Sequence, residues 1–296
     1  MMRLRTYLWL ILLLTACGKD PYTVRYLTFE APSEFTSLDI IDAHTHTGFN
    51  QKPEPTSGIM NSAASYRRAW QDAHVVGGIS HLGTTATANP ELSDLPMLYC
   101  VGVGEQVNLA RIEILLQKSR YGCIKIYLGY VHRYAYDADF HPVYRLAAKY
   151  DVPVVFHTGD TYSSKGKLKY ADPLTVDEVA VDFPDTRFVI AHLGNPWFQS
   201  AAEVAYKNPN VYIEGSALVI GNLSQYGEEW LDDLAVSPLK WTWRYLENPE
   251  KLMFGSDWPL VDIATYARLY QKAIPQEYWQ DVFHDNALKV FPKLAE

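Results

Sequence analysis

Short apolar runs recur along the chain from Leu38 onward and alternate with stretches in which apolar residues return every three or four positions. The runs have the length of β-strands, and the stretches between them have the spacing of amphipathic helices. Strands that alternate with helices form parallel sheets, so the pattern predicts a series of βαβ units. Eight strands are predicted, at residues 38–46, 74–82, 97–104, 121–128, 152–158, 188–193, 211–216 and 252–257.

Helical spacing fills most of the intervals between these runs, and eight such units predict an α/β fold, the closed (β/α)8 TIM barrel. An open doubly wound sheet is the alternative, but no glycine-rich phosphate-binding segment follows the first predicted strand. No change in composition divides this part of the chain, so residues 37–296 are predicted to form one catalytic domain. Helices are predicted at 63–73, 107–120, 142–150, 176–183, 198–206 and 263–273, with a closing helix at 276–296.

The beginning of the chain has a different character. Residues 1–17 combine two early arginines with a short apolar run and end in Leu14-Thr15-Ala16-Cys17. This segment resembles a bacterial lipoprotein signal peptide, which implies lipidation of Cys17 and a tether at residues 18–36. The protein is therefore expected to be anchored to a membrane of the bacterial cell envelope, facing the periplasm or the exterior. A plain signal peptide or an uncleaved anchor is the alternative.

Composition narrows the functional classes only a little. The chain of 296 residues is 48% hydrophobic and carries a formal net charge of −8, so it has no basic face of the kind that binds nucleic acid. Beyond Cys17, only Cys100 and Cys123 remain, both within apolar runs. They are predicted to be buried thiols, or a disulfide between neighbouring strands if the compartment is oxidising.

Polar side chains of one kind follow several of the predicted strands. The first strand ends in Asp42-Ala43-His44-Thr45-His46, and histidines two positions apart on a strand share a face. His157, His192 and Asp257 each follow another apolar run, and Lys125 lies within the fourth predicted strand. In a barrel the carboxyl ends of the strands meet at one face, where active sites lie. The pattern therefore predicts a metal-dependent enzyme.

These segments, taken in order, resemble the amidohydrolase superfamily, and most closely its amidohydrolase-related branch, also called amidohydrolase 2. The resemblance extends over about residues 38–292 and includes a closing Asn286-Ala287. The segments that carry it are Ile41-Asp42-Ala43-His44-Thr45-His46, Val154-Val155-Phe156-His157-Thr158-Gly159, Val189-Ile190-Ala191-His192-Leu193-Gly194 and Phe254-Gly255-Ser256-Asp257-Trp258-Pro259.

The resemblance implies a divalent metal, usually Zn²⁺, held by His44 and His46 with His157 and Asp257 completing the ligand set. In single-metal members the residue that matches His192 acts on water or substrate rather than on the ion. In two-metal members it binds the second ion, and a lysine that matches Lys125 is carboxylated and bridges both. One ion is favoured here, with Lys125 then paired to a carboxylate, and two ions remain the alternative.

Elementary chemistry supports the same site. Neutral imidazoles and a carboxylate suit Zn²⁺, and such a site can activate water near neutral pH. Asp257 and His192 are the predicted catalytic residues, with Asp257 accepting a proton and His192 stabilising an oxyanion or passing a proton to the leaving group. The predicted function is hydrolysis of a C–N or C–O bond in a small molecule. Non-oxidative decarboxylation is the alternative, and a lipid-anchored binding protein is less favoured.

Residues of the strand-end loops are candidates for substrate contact. Tyr130 and Arg133 follow the fourth predicted strand and are predicted to hold a substrate carboxylate, or else to lie in a solvated loop. Glu214 ends the seventh strand and either orients a metal ligand or is an ordinary rim residue. Three lysines form either a rim for an anionic substrate or a solvated surface, and two tryptophans either line the pocket or pack between loops: Lys165, Lys167, Lys169, Trp197 and Trp258.

Overall fold

Eight parallel strands, arranged in the order of the chain, form the centre of the computed structural model, which describes residues 38–295. Each strand pairs with the next one in sequence, as βαβ connections require. Each predicted strand has an observed counterpart, although several are shorter. The strands are β1 Ile40–Thr45, β2 Val75–His81, β3 Met97–Val103, β4 Tyr121–Ile126, β5 Val154–Phe156, β6 Phe188–Ile190, β7 Val211–Glu214 and β8 Leu252–Met253.

Helices lie between most of these strands within the described residues. The interval between β2 and β3 has only a 3₁₀ turn, Pro90–Leu92. Ten helical segments are found elsewhere: α1 Ala63–Asp72, α2 Leu109–Leu116, α3 Leu128–Val131, α4 His141–Lys149, α5 Thr175–Asp182, α6 Phe198–Lys207, α7 Glu228–Leu231, α8 Ser237–Leu246, α9 Ile263–Ala273 and α10 Asn286–Val290.

Contacts between the two ends of the sheet nearly close the barrel. The N–H of Ala43 in β1 donates to the Phe254 carbonyl at 3.0 Å, and the N–H of Asp257 donates to the His44 carbonyl at 2.7 Å. The N–H of His46 donates to the Trp258 carbonyl at 2.9 Å. The predicted TIM barrel is therefore confirmed, and closure brings the first histidine segment beside the Asp257 segment, more than 200 residues away in sequence.

Successive side chains of a strand point to opposite faces of the sheet, so the buried residues form two layers. One layer includes Ile124, Val154 and Ile213 and packs against the surrounding helices. The other fills the barrel and includes Leu98 and Val189, with residues of α10 packed against it. Because both faces of a parallel sheet are covered, the strands appear in the sequence as nearly continuous apolar runs. The polar side chains lie nearer the carboxyl ends of the strands than the apolar residues of this interior layer.

Two helix predictions differ from the structure. The closing helix predicted at 276–296 is observed as a continuous helical segment from Gln276 to Val290, with a 3₁₀ turn at Gln276–Tyr278 and a π-helical turn at Asp281–Asp285 before α10; it ends ahead of Pro292, sooner than predicted. The interval between β7 and β8, for which no helix was predicted, contains α7 and α8 joined by a π-helical turn at Asp232–Val236. Leu239, Thr242 and Leu246 of α8 are buried at helical spacing, and Pro238 lies in the first turn, where a helix tolerates proline, so the sequence did contain a signal for this helix.

The two cysteines of the barrel form a disulfide. Cys100 of β3 lies directly opposite Cys123 of β4, and both side chains are fully buried in the interior layer. Of the two predictions for these residues, the structure supports the disulfide between neighbouring strands.

The amino-terminal predictions concern other parts of the chain. The signal peptide at residues 1–17, the lipidation site Cys17 and the tether at 18–36 lie outside the described residues. Within residues 38–295, no helix has the length and apolar character needed to cross a membrane.

Candidate metal centre

His44 and His46 lie at the carboxyl end of β1, and both imidazoles approach Asp257. The Nε2 atoms of His44 and His46 lie 3.8 Å and 3.0 Å from Asp257 Oδ1. The pairing of β1 with β2 is irregular between Asp42 and Thr45, which adjusts the alternation of the strand just where the histidines begin. His44 is fully buried, whereas the side chain of His46 is 35% exposed. The pair therefore extends from the barrel interior to its mouth.

Hydrogen bonds to Nδ1 hold both imidazoles in place. His44 Nδ1 lies 2.6 Å from Glu214 Oε1, and His46 Nδ1 donates to the carbonyl of His81 at 2.9 Å. When Nδ1 carries the proton, the Nε2 atom of a neutral imidazole keeps a free lone pair. Burial also holds the pKa of His44 well below its usual value, so this ring is neutral. Both Nε2 atoms are thus available as ligands on the side of Asp257.

Asp257 has a backbone conformation that non-glycine residues rarely adopt, with φ of 69°. Its N–H donates to the His44 carbonyl, which fixes the carboxylate beside the histidine pair. Burial raises the pKa of Asp257, but the imidazoles of His46 and His192 and the Lys125 ammonium outweigh it and hold that pKa at about 2. The carboxylate is therefore ionised and suited to hold a cation or accept a proton.

His192 follows β6 and also has a left-handed backbone, with φ of 60°. With its proton on Nε2, its Nδ1 accepts from the Ser216 hydroxyl at 2.8 Å; the same atom lies 3.2 Å from the Ser216 carbonyl and 4.0 Å from Asp257 Oδ2. Burial lowers the pKa of His192 to about 4, although Asp257 opposes this shift, so the imidazole is neutral at pH 7. Strained backbone conformations often occur at functional sites, and this site contains two of them.

His157 follows β5, and its ring contacts the His192 ring rather than Asp257. Its Nε2–H donates to the Asp160 carbonyl at 2.8 Å, so its Nδ1 accepts from His192 Nε2–H at 3.0 Å. Among the described residues, one group has ligand atoms close enough to hold a single ion, all within 4.8 Å of one another: His44, His192 and Asp257. The structure thus places His192 in this group and places His157 in contact with His192.

The donor atoms at the centre fit a divalent metal. His44 Nε2 and Asp257 Oδ1 are both buried and without a hydrogen-bond donor or acceptor in the described part of the chain. The neighbour of Oδ1 at 3.0 Å, His46 Nε2, carries no proton when Nδ1–H donates to His81, so two acceptors face each other. A buried polar atom without a partner is costly, and coordination to a cation would satisfy both atoms at once. Neutral imidazole nitrogens and one carboxylate form a ligand set typical of zinc. The ligand geometry alone does not distinguish zinc from other divalent ions.

Lys125 of β4 points into the interior beneath this centre. It is fully buried, and Nζ has no hydrogen-bond partner among residues 38–295. Burial lowers the pKa of Lys125 to about 8, against the opposing charges of Glu214 and Asp257. The structure provides no direct ion pair for this ammonium, so the carboxylate pairing predicted for the single-metal case is not formed as a close contact.

A second buried carboxylate, Asp42, fixes the backbone around the histidine pair. It accepts hydrogen bonds from the N–H and hydroxyl of Ser256, at 2.9 and 2.5 Å, and from the His44 N–H at 3.1 Å. Burial raises the pKa of Asp42 to about 7, although these hydrogen bonds oppose the rise. Asp42 therefore joins β1 to the segment after β8 and contacts no imidazole ring.

The predicted substrate residues lie around the centre rather than in it. The Tyr130 hydroxyl accepts from the Tyr162 N–H at 2.8 Å, and its ring packs against His157. Arg133 forms ion pairs with Asp137 and Asp139, at 3.7 and 2.6 Å. The carboxylate-binding role predicted for Tyr130 and Arg133 stays a prediction, although Arg133 is not among the residues that line the central cavity. Lys165, Lys167 and Lys169 are exposed, and Trp258 is buried in the core.

A small cavity of about 60 Å³ opens at His157, His192 and Asp257. Its other polar lining residues, Asp160 and Asn195, were not predicted from the sequence. Asp160 and Asn195 follow shortly after the strand-end histidines His157 and His192. This position in the sequence is the signal that could have identified them as cavity residues. The remaining lining residues are Tyr162, Ala217, Ile220 and Leu260.

Comparison with protein families and curated proteins gives one match. Residues 41–293 match the model of a family described as Amidohydrolase. No protein of known function in the curated collection matches the chain.

Solved structures with the same architecture include three enzymes. A probable 2-pyrone-4,6-dicarboxylic acid hydrolase from Acinetobacter baumannii is 14% identical, with 86% of this chain and 100% of that chain covered and a TM-score of 0.63. The 5-carboxyvanillate decarboxylase of Sphingomonas paucimobilis is 13% identical, with coverages of 86% and 98% and a TM-score of 0.58. An amidohydrolase from Burkholderia multivorans with bound zinc is 15% identical, with coverages of 86% and 99% and a TM-score of 0.64. At such low sequence identities, the similarity to these three structures shows a common fold alone.

Proposed function

The chain belongs to the amidohydrolase family and is an enzyme of that superfamily, and from this premise we propose that it is a metal-dependent hydrolase. Its reaction would use an activated water to cleave a C–N or C–O bond of a small molecule. The observation that carries the proposal is the pair of buried, unpartnered ligand atoms, His44 Nε2 and Asp257 Oδ1, at the mouth of the barrel. Zinc is the proposed ion, and the zinc-bound amidohydrolase from Burkholderia multivorans supports that choice.

One ion is proposed, held by His44, His46 and Asp257, with His157 or His192 as a further ligand. A divalent ion in this position supplies a Lewis acid and lowers the pKa of water. Asp257, already ionised, accepts a proton from the attacking water at a carboxylate oxygen. His192 Nδ1, which lies 4.0 Å from Asp257 Oδ2, would take up that proton when the Ser216 hydroxyl turns from donor to acceptor, and would then pass it to the leaving group. The Ser216 hydroxyl, donating to the same Nδ1, keeps the ring oriented.

The lining of the cavity favours hydrolysis over decarboxylation. Asp160 and Asp257 contribute carboxylates to it, and none of its lining residues in the described part of the chain is a lysine or arginine. A decarboxylase must bind a carboxylate; a bound ion would offset the charge of Asp257, but the Asp160 carboxylate would still oppose a second negative group in the cavity. Asp160, Asn195 and Tyr162 instead suit the hydroxyl or amide groups of an uncharged substrate. Decarboxylation remains the second candidate because a fold relative is a decarboxylase and the ligand set serves both reactions.

Product analysis with matched substrates tests this choice. We expect turnover of small lactones and amides that carry hydroxyl groups, with the ring-opened acid or the free amine as product. Carboxylated aromatic compounds provide the comparison, with carbon dioxide release measured in parallel. Release of carbon dioxide without any hydrolytic product would contradict the hydrolase proposal and support decarboxylation.

Replacing Lys125 by methionine tests the number of ions. We expect one ion per chain in both proteins, because the single-metal site does not use this ammonium. The free energy of unfolding of the metal-free protein should fall by a few kcal/mol, since the ammonium offsets the buried charges of Glu214 and Asp257. Metal content by mass spectrometry and denaturant unfolding give the two values. A fall from two ions per chain to one or none would assign Lys125 as a bridging ligand.

We also propose that the protein is anchored to the cell envelope through a lipid on Cys17. The amino-terminal sequence supports this location, and the buried Cys100–Cys123 disulfide suits an oxidising compartment. Such an enzyme would meet substrates of the periplasm or the exterior.

A Cys17→Ser variant tests the anchor. We expect it to move from the membrane fraction to the soluble fraction after cell lysis, with unchanged activity per molecule, because the lipid attaches far from the barrel mouth in sequence. Gly18→Ser, which alters the neighbouring residue and keeps the thiol, is the control and should remain with membranes. Retention of Cys17→Ser in the membrane fraction would rule out the lipid anchor.

A further inference from the structure

The Glu214 carboxylate at the end of β7 connects several parts of the site, yet it lies outside the ligand set. Only 1% of its surface is exposed. Oε1 lies 2.6 Å from His44 Nδ1 and also accepts the N–H of His192 at 3.2 Å. Oε2 accepts the N–H of Ser216 at 2.7 Å. One carboxylate therefore fixes an imidazole of the histidine pair and the backbone on both sides of the His192 ring.

The contact with Glu214 determines which nitrogen of His44 can bind an ion. Burial raises the pKa of Glu214 to about 7, while the Lys125 ammonium and the Ser216 N–H oppose the rise. In its ionised form the carboxylate only accepts hydrogen bonds, so the proton of His44 then lies on Nδ1. Nε2 then presents a lone pair, and this is the buried atom without a partner near Asp257. The opposite tautomer would place a proton on Nε2 and prevent coordination. His46 is held by a neutral carbonyl, so His44 is the member of the pair that has a charged acceptor.

The space that the Glu214 carboxylate occupies depends on the absence of a side chain at Gly255. A Cβ atom at Gly255 would lie 2.7 Å from Glu214 Oε2 and 3.0 Å from the His44 Cβ, which is closer than these atoms can approach. The absence of a side chain at Gly255 thus provides the space for the contact between β7 and β1. Lys125 forms no hydrogen bond to the carboxylate in the described structure, and its charge favours the ionised form of Glu214.

We propose that Glu214 is a positioning residue that selects the Nδ1–H tautomer of His44 and thereby prepares Nε2 to bind the divalent ion. The inference rests on the proposed metal-dependent function, and it assigns to Glu214 a role beyond that of a rim residue. Carboxylates that orient ligating histidines typically change metal affinity by about 10–100-fold when they are replaced.

A Glu214→Gln variant tests the proposal because it keeps the size of the side chain and removes its charge. With the full chain purified in detergent, we expect the Kd for Zn²⁺, measured by competition with a chelating dye, to rise by about 10–100-fold. The absorption spectrum of the Co²⁺-substituted protein should also change. Gly255→Ala, which displaces the carboxylate without removing it, should weaken binding in the same direction.

Tyr270→Phe provides the structural control. It removes a buried hydroxyl that accepts from the Gly215 N–H at 2.8 Å, next to Glu214, but touches no imidazole of the site. This variant should lose stability and keep the Kd for Zn²⁺ of the wild type. If Tyr270→Phe and Glu214→Gln weaken Zn²⁺ binding equally, the effect of Glu214 is general loosening of β7 and the proposal is wrong.

A readout on the metal-free protein separates this inference from the proposed function. The ¹⁵N chemical shifts of the His44 ring distinguish its tautomers, and we expect Nδ1–H in the wild type and a mixture in Glu214→Gln. Identical ring shifts together with a Kd within threefold of the wild type would overturn the positioning role. If the wild type binds no divalent ion, the metal-dependent function fails, and unchanged His44 tautomers in Glu214→Gln would reject the positioning role as well.

Discussion

Replacing His44 and His46 together by alanine is expected to remove the bound ion and to lower kcat/KM by about 10³-fold or more. The two imidazoles provide both ligands from β1, and their Nε2 atoms lie 3.8 and 3.0 Å from Asp257 Oδ1. Asp257 with one remaining imidazole, from His157 or His192, would hold a divalent ion weakly. Losing the several kcal/mol of charge stabilisation that a metal supplies corresponds to a rate loss of this size. Metal content by mass spectrometry and steady-state kinetics measure the two effects.

A second double variant controls for the loss of two histidines. His141 and His284 lie outside the cavity and hydrogen-bond to the Tyr136 carbonyl and to Asp285. Their joint replacement by alanine should leave metal content and kcat/KM close to the wild-type values. Retention of a full complement of metal by the His44→Ala/His46→Ala protein would show that the ion binds elsewhere.

Replacing His192 by glutamine is expected to lower kcat by about 10²–10⁴-fold while the ion is retained. General acid–base catalysis contributes an effect of this size. The neutral imidazole accepts from Ser216 at Nδ1 and faces Asp257, so it can carry a proton, whereas an amide cannot. Kinetics and metal content should be measured on the same preparation.

Two results for the His192 variant would change its assigned role. If the ion is lost together with activity, His192 is a ligand, as its presence in the group with His44 and Asp257 allows. If kcat changes less than tenfold with the ion in place, His192 is not the proton carrier. A Ser216→Ala variant offers a milder comparison, because it removes the donor to Nδ1 and keeps the imidazole.

The barrel could be predicted because its strands are buried on both faces. Runs such as Val154–Phe156 and Phe188–Ile190 are continuous and apolar in the sequence, and each is followed at once by a polar segment. The histidines could be assigned to one face because all strands of a parallel barrel end there. The helix Ser237–Leu246 was missed although its apolar residues have helical spacing, because Pro238 resembles a helix break when its place in the first turn is not known.

The finer arrangement of the site depends on contacts that the sequence does not display. Glu214 and His44 are separated by 170 positions, and they meet only because β8 returns to β1 and closes the barrel. Similarly, Cys100 and Cys123 pair because β3 and β4 place them directly opposite one another. The positions of His157 and His192 relative to the centre depend on the left-handed backbone of His192, which no local pattern predicts.

An anomalous diffraction map at the zinc absorption edge, from crystals of the full chain grown with Zn²⁺, tests the central claim most directly. We expect one strong peak per chain, in contact with His44 Nε2 and Asp257 Oδ1, which are among the buried atoms without hydrogen-bond partners in residues 38–295. A second peak beside Lys125 would replace the single-ion site by a two-ion site. A map with no peak between His44 and Asp257, from protein saturated with Zn²⁺, would contradict the proposed metal-dependent chemistry.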